Sequence, residues 1–134
     1  MTDPRLSIIE LLSSHWGLGF KPIISADWYE AEERTSQVTV PHVLTRPEPI
    51  GFSSSVGESK RRFSAVYSVD VWSRGDQERR WRMLREVDRI IHAQCMSPGG
   101  GLDFAEVSDW RDLDEPGQLN LYRSQLRVEV TYYD

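Results

Sequence analysis

The sequence predicts an α+β domain: a mostly antiparallel mixed sheet, a long helix packed on one face and a short N-terminal helix. Three observations carry this expectation. From Arg62 to Trp72 the chain alternates at period two, with Phe63, Ala65, Tyr67, Val69 and Val71 on one side. Ser64, Val66, Ser68, Asp70 and Trp72 fall on the other side, as in a strand. After the Gly75-Asp76 turn, Trp81, Leu84, Val87, Ile91 and Cys95 recur at helical spacing, with Asp76 placed as N-cap of a helix over 77–95. The chain then closes on a second alternating strand, with Leu126, Val128, Val130 and Tyr132 on one face.

The other elements follow in order. Asp3-Pro4 sets an N-cap before a proline at the first helical position. Leu6, Ile8, Ile9, Leu11 and Leu12 then make a short helix that Gly17 stops. Residues 23–29 read as a short strand or extended segment. Residues 35–44 read as another, interrupted by Pro41, whose missing donor argues for an edge strand or a bulge. Residues 45–62, with Pro47, Pro49, Gly51, Gly57 and a run of serines, read as a flexible arm. Connections longer than about 12–15 residues are uncommon in compact domains and are usually functional or disordered. Ile50, Phe52 and Val56 within it offer apolar groups for a partner to bury; a plain surface loop is the alternative. Pro98 and the glycines at 99–101 end the long helix. A strand over 102–107 and an acidic turn over 109–117 come next. Residues 119–133 form the last strand, and its apolar phase changes between Leu121 and Leu126, which predicts a bulge or bend near Arg123.

A chain of 134 residues, 39% hydrophobic and 28% charged, fits one domain over 1–134 with a core that needs no disulfide or metal. The lone Cys95 excludes an intrachain disulfide framework and suits a reducing compartment. No apolar run approaches the ~20 residues of a membrane span, and the first residues lack the pattern of a signal peptide. Cytoplasmic residence is the default expectation. The net charge of −5 is segregated: −4 over residues 1–59, +4 over 60–89 and −5 over 90–134. A basic middle between acidic ends suits DNA steering, and it suits subunits that meet front to back. Fourteen of the sixteen cations are Arg, the cation favoured at protein interfaces.

The motifs of catalysis and cofactor binding are missing from the sequence. His15, His42 and His92 are scattered, and His92 with Cys95 has no second pair to complete a metal site. The bland reading of that pair is a core-facing thiol beside a surface imidazole. Gly17-Leu18-Gly19 and Gly99–Gly101 follow helices, the wrong order for a phosphate cradle. Asp103, Glu106, Asp109, Asp112, Asp114 and Glu115 form an acidic cluster without calcium-loop spacing, and read as a solvated or partner-facing surface. Arg79, Arg80, Arg82, Arg85 and Arg89 make the best nucleic-acid candidate. Their charge is locally balanced by Glu78, Glu86 and Asp88. Trp16, Trp72 and Trp81 fit core positions or element ends, whereas Trp28 and Trp110 sit among carboxylates and fit protein contacts. No enzyme, cofactor or metal is expected.

The strand from Arg62 to Arg74, ending Val69-Asp70-Val71-Trp72-Ser73, the helix that follows, and the ending Leu121-Tyr122-Arg123 through Val128-Glu129-Val130 resemble the tail terminator and tail-completion (head–tail joining) proteins of long-tailed phages and related viruses. The resemblance covers most of the chain through order of elements, size and two strand signatures. It implies a non-enzymatic virion protein, assembled in the host cytoplasm. Such a protein forms a hexameric ring at the head-proximal end of the tail tube, stops tube growth and joins tail to head. Its implied partners are itself, the tail tube protein and a head-closure or neck protein, with DNA passing through the lumen unread. Another neck or tail ring component is the alternative, and a small DNA-binding protein a more distant one. On this reading Ile50 and Phe52 anchor an arm whose base, Lys60, Arg61 and Arg62, meets an acidic surface with Asp109, Asp112 and Asp114 on a neighbour.

Overall fold

The computed structural model describes residues 3–26, 36–40, 43–52, 61–114 and 120–134. Helix α1 (Pro4–His15) starts where the Asp3 side chain accepts from the Arg5 backbone N–H at 3.0 Å, with Pro4 in its first turn. Ser7, Ile8, Leu11 and Leu12 are its buried side, while Leu6 stays half exposed. Six strands form one sheet: β1 (Ile23–Ser25), β2 (Ser36–Thr39), β3 (Val43–Phe52), β4 (Arg61–Arg74), β5 (Leu102–Asp112) and β6 (Leu121–Tyr133). Their order is β1-β2-β4-β6-β5, and β3 also pairs with β4. β1 lies parallel to β2, and the other pairs are antiparallel. Helix α2 (Gln77–Ala93) follows β4 and packs on β4, β5, β6 and α1. The fold is therefore α+β, with the long helix on one sheet face and the short one beside it.

The predicted β4 alternation holds. Ala65, Tyr67, Val69 and Val71 enter the core with Leu126, Val128, Val130 and Tyr132 from β6, under Leu84, Val87 and Ile91 of α2. Met83 and Ile90 complete the buried stripe. Each such aliphatic side chain contributes roughly 1.5–3 kcal/mol on burial. Trp81 departs from expectation: it lies at the rim of the stripe, 38% exposed. The helix ends at Ala93, and Gln94 to Met96 form a turn, so Cys95 sits beyond it and only partly buried.

Four further corrections concern strands. The expected arm over 45–62 is largely a strand: β3 pairs antiparallel with β4 from Val43 opposite Tyr67 to Phe52 opposite Arg61. Residues 53–60, including Lys60 and Val56, lie outside the described residues. Pro47 and Pro49 are tolerated because β3 pairs along one edge only among the described residues, and the register shifts between Val43 and Thr45, Thr45 and Glu48, and Pro49 and Gly51. The bulge expected near Arg123 is also absent, since β4 and β6 pair without a break from Arg62–Tyr133 to Arg74–Leu121. The apolar phase changes because both faces of β6 are buried from Arg123 to Leu126; the shifts fall in the β5–β6 pairing instead, between Leu102 and Phe104 and between Val107 and Asp109. Third, Asp109 to Asp112 extend β5 rather than form a turn. Fourth, β1 ends at Ser25, and residues 27–29 lie outside the described residues. Pro41 lies outside them too.

The face of β4 away from the helices is polar yet buried. Gln37, Thr39, Ser68, Asp70 and Trp72 are at most 2% exposed. Trp72 Nε1 donates to Thr39 Oγ1 at 3.0 Å, Arg123 stacks on the Trp72 ring at 4.8 Å, and its guanidinium reaches Asp70 at 3.0 Å. Buried polar groups hold the fold to one register only when they are paired.

Candidate subunit interface

The arginines of α2 are mostly engaged within the chain. Asp76 caps the helix by accepting from the Arg79 N–H at 3.0 Å. The Arg79 guanidinium stacks on Phe20 at 4.4 Å, and Arg82 approaches the same ring at 5.3 Å. Arg80, 1% exposed, donates to Asp114 and lies 3.7 Å from Asp112, between the Trp81 and Tyr122 rings. Arg89 forms a two-point ion pair with Glu86, both contacts at 2.7 Å, and donates to the His15 carbonyl at the end of α1. The Gly17 N–H completes that joint by donating to Glu86. Arg89 beside it holds the Glu86 carboxyl below the usual carboxylate range, against the opposing effect of burial. Among the described residues, ion pairs form at Arg79, Arg80 and Arg89 but at neither Arg85 nor Asp88. Three of the five helix arginines are thus held in ion pairs, while Arg82 and Arg85 form none among the described residues.

Arg85 and Asp88 line a groove of about 440 Å³ between α2 and β5, closed by Trp81, Leu84, Arg89 and Trp110. Trp110 is 47% exposed, consistent with the contact role its carboxylate-rich neighbourhood suggests. Two partly exposed indoles around an arginine that forms no ion pair among the described residues match the composition of interface hot spots. A second groove of about 350 Å³, lined by Leu18, Arg82, Arg85, Glu86 and Arg89, adjoins Arg85 on its other side.

Across the sheet, β3 lies on the other flank of β4, beside β2, and pairs among the described residues with β4 alone. Residues Leu44 to Ile50 are exposed, Ile50 by half. Phe52 closes the strand opposite Arg61; its side chain lies outside the described residues. The polypeptide groups of Pro47 and Pro49 donate no hydrogen bond, so this edge is a poor template for strand addition. Its contacts must come from side chains.

The acidic residues expected to receive a neighbour's arm already have partners in their own chain. Asp112 accepts from Ser124 Oγ at 2.6 Å beside Arg80, and Asp114 accepts from Arg80 and from the Arg123 N–H at 2.9 Å. Asp109 lies 3.8 Å from Arg127. Arg62 reaches Asp103 at 3.3 Å across β6, so the expected attraction between arm base and acidic strand occurs within one subunit. Sequence reasoning missed Trp81 as a surface group; it placed Arg85 in the basic stripe of the helix, balanced by Asp88, and the structure shows no ion pair between the two among the described residues.

Among the described residues no group of three His, Cys, Asp or Glu is placed to hold a metal ion. No described helix is long and apolar enough to cross a membrane. Comparison of the chain with protein-family models and with curated proteins returns no match.

Proposed function

We propose that the chain is a non-enzymatic structural subunit of a viral tail. It assembles as a hexameric ring at the head-proximal end of the tail tube, ends tube polymerisation and joins tail to head. The observation that carries this reading is the placement of two unlike surfaces on opposite flanks of one sheet. The β3 edge lies three strand spacings, ~14 Å, from β5 and the Trp81–Trp110 groove. Unlike patches on opposite sides give head-to-tail contacts, and such contacts close into rings when the rotation permits. The order of elements and the two strand signatures support the tail terminator assignment specifically. Partners on this reading are further copies of the chain, the tube protein and a neck protein, with the virion as final location and DNA passing through the lumen. The ion pairs of Arg79, Arg80 and Arg89 inside the chain weigh against duplex binding as the main role.

Light scattering and negative-stain images of the purified protein, alone and with polymerised tail tubes, test the proposal. Ring particles that cap tubes and halt their growth are expected. A monomer that leaves tube length unchanged would sink it.

A further inference from the structure

Resting on that ring reading, we infer that the Trp81–Trp110 groove receives the β3 edge of a second copy, with Ile50 seated between the two indoles. Trp81, Arg85 and Asp88 lie at i, i+4 and i+7 on α2, along one face and over ~10 Å of helix. Ile50, Glu48 and Arg46 follow in that order along β3, all exposed, on a strand whose register shifts between Thr45 and Glu48 and again between Pro49 and Gly51. Set side by side in that order, Ile50 meets Trp81 and Trp110, Glu48 meets Arg85, and Arg46 meets Asp88. The reverse order would place Arg46 at the indoles and Ile50 at Asp88. None of the four charged residues forms an ion pair among the described residues, although ion pairs are frequent elsewhere in the chain. The match thus joins charges without an ion pair among the described residues on one flank to such charges on the other. Such complementarity fixes partner and register more than it adds affinity; the apolar anchor in the aromatic groove supplies the larger share. The contact is made by side chains, as the prolines of β3 require.

Sedimentation velocity of the parent, of Ile50→Arg, of Trp110→Arg and of an equimolar mixture of the two variants tests the pairing. Circular dichroism verifies each fold; both residues are about half exposed. Expected results are a ring for the parent and monomers for each variant, with association at least tenfold weaker. The mixture should give heterodimers and nothing larger, because one chain keeps an intact groove and the other an intact edge. A charge swap, Glu48→Arg with Arg85→Glu in one chain, should restore assembly that either change alone weakens. Variants that assemble like the parent, or a mixture that stays monomeric, overturn the pairing while rings of the parent keep the ring reading alive. A parent that is monomeric both in solution and on tail tubes removes the ring reading and the pairing together. A single-stranded oligonucleotide bound in the groove, released by Arg85→Ala with ring assembly untouched, overturns the pairing in favour of a nucleic-acid site.

Discussion

Arg123 and Asp70 meet at 3.0 Å on the sheet face turned away from both helices, with Asp70 fully buried. The pair joins the two central strands, and Trp72 backs the guanidinium at 4.8 Å. Removing one member of a buried ion pair leaves the other charge without its partner, which costs about 3–5 kcal/mol. Asp70→Ala and Arg123→Ala should each lower stability by that order in urea unfolding. The double variant should lose clearly less than the sum, since the second change removes the stranded charge. Additive losses would mean that the two groups act independently.

Gly100 makes a second, sharper prediction. It stands at φ +60°, and a Cβ there would lie 2.9 Å from Ser7 Cβ and Oγ. Ser7 Oγ donates to the Gly100 carbonyl at 2.6 Å, so the turn after α2 is pinned against α1. Gly100→Ala combines backbone strain with a clash and should cost about 1–3 kcal/mol. Gly99 has a similar φ of +81° but open space around it. Gly99→Ala should therefore cost less, by thermal melts of the two variants compared directly.

How much of this was legible in the sequence depends on what each element shows locally. β4, β6 and α2 each carry enough apolar residues at period 2 or 3.6 to declare themselves. β3 does not, because two prolines and a bulged register remove its alternation; only pairing with β4 makes it a strand. Buried Arg80 was hidden for a different reason. A charged residue in a helix of alternating charges reads as outward-facing, and its partners Asp112 and Asp114 come from a distant strand end. Trp110 was recognisable as a surface tryptophan from its acidic neighbours. Trp81 was not, since its spacing to Leu84 fits the core stripe and only the position of β5 shows that it sits at the rim.

Leu84 and Trp81, three residues apart on α2, should respond very differently to substitution. Leu84 is 1% exposed in the centre of the core. Leu84→Asp strands a carboxylate among aliphatic side chains and should cost several kcal/mol, on the order of penalties for unpaired burial. Trp81→Ser, at the exposed rim, should cost about 1 kcal/mol or less beyond its lost packing with Arg80. Chemical denaturation of both variants decides this. Equal losses would mean that Trp81 is part of the core after all.

Deprotonation of Tyr67 should limit stability in alkali. Its phenol is buried, and burial pushes its pKa from 10.0 up to about 12; burial raises Tyr132 as well. The folded chain therefore holds a proton that the unfolded chain releases from about pH 10. Stability is unaffected below that value and falls as pH rises from about 10 towards 12, where the folded phenol itself ionises. Tyr67→Phe should flatten this part of the curve in melting temperature against pH. An unchanged alkaline limb would place the loss in other groups.

The acid limb should belong in part to Glu86. This carboxylate is 5% exposed and ties α2 to the end of α1 through Arg89 and the Gly17 N–H. Those contacts favour its charged form, so its folded pKa lies below the unfolded value of about 4.3. A group with a depressed folded pKa stabilises the fold fully above its unfolded pKa. That stability is lost as pH falls through the folded value, where the carboxyl takes up a proton and the pairing with Arg89 weakens. Glu86→Gln keeps the shape of the side chain but cannot ionise, so it should melt below the parent at neutral pH. Its melting curve should then approach the parent's as pH drops through about 4 and below. Asp3, lowered chiefly by its hydrogen bond with Arg5, acts with the same sign but is present in both proteins. It therefore cancels in the comparison. Melting temperatures of parent and variant across the acid range measure the difference directly. A gap that stays constant with pH would show that Glu86 holds the helices together by shape alone and not by its charge.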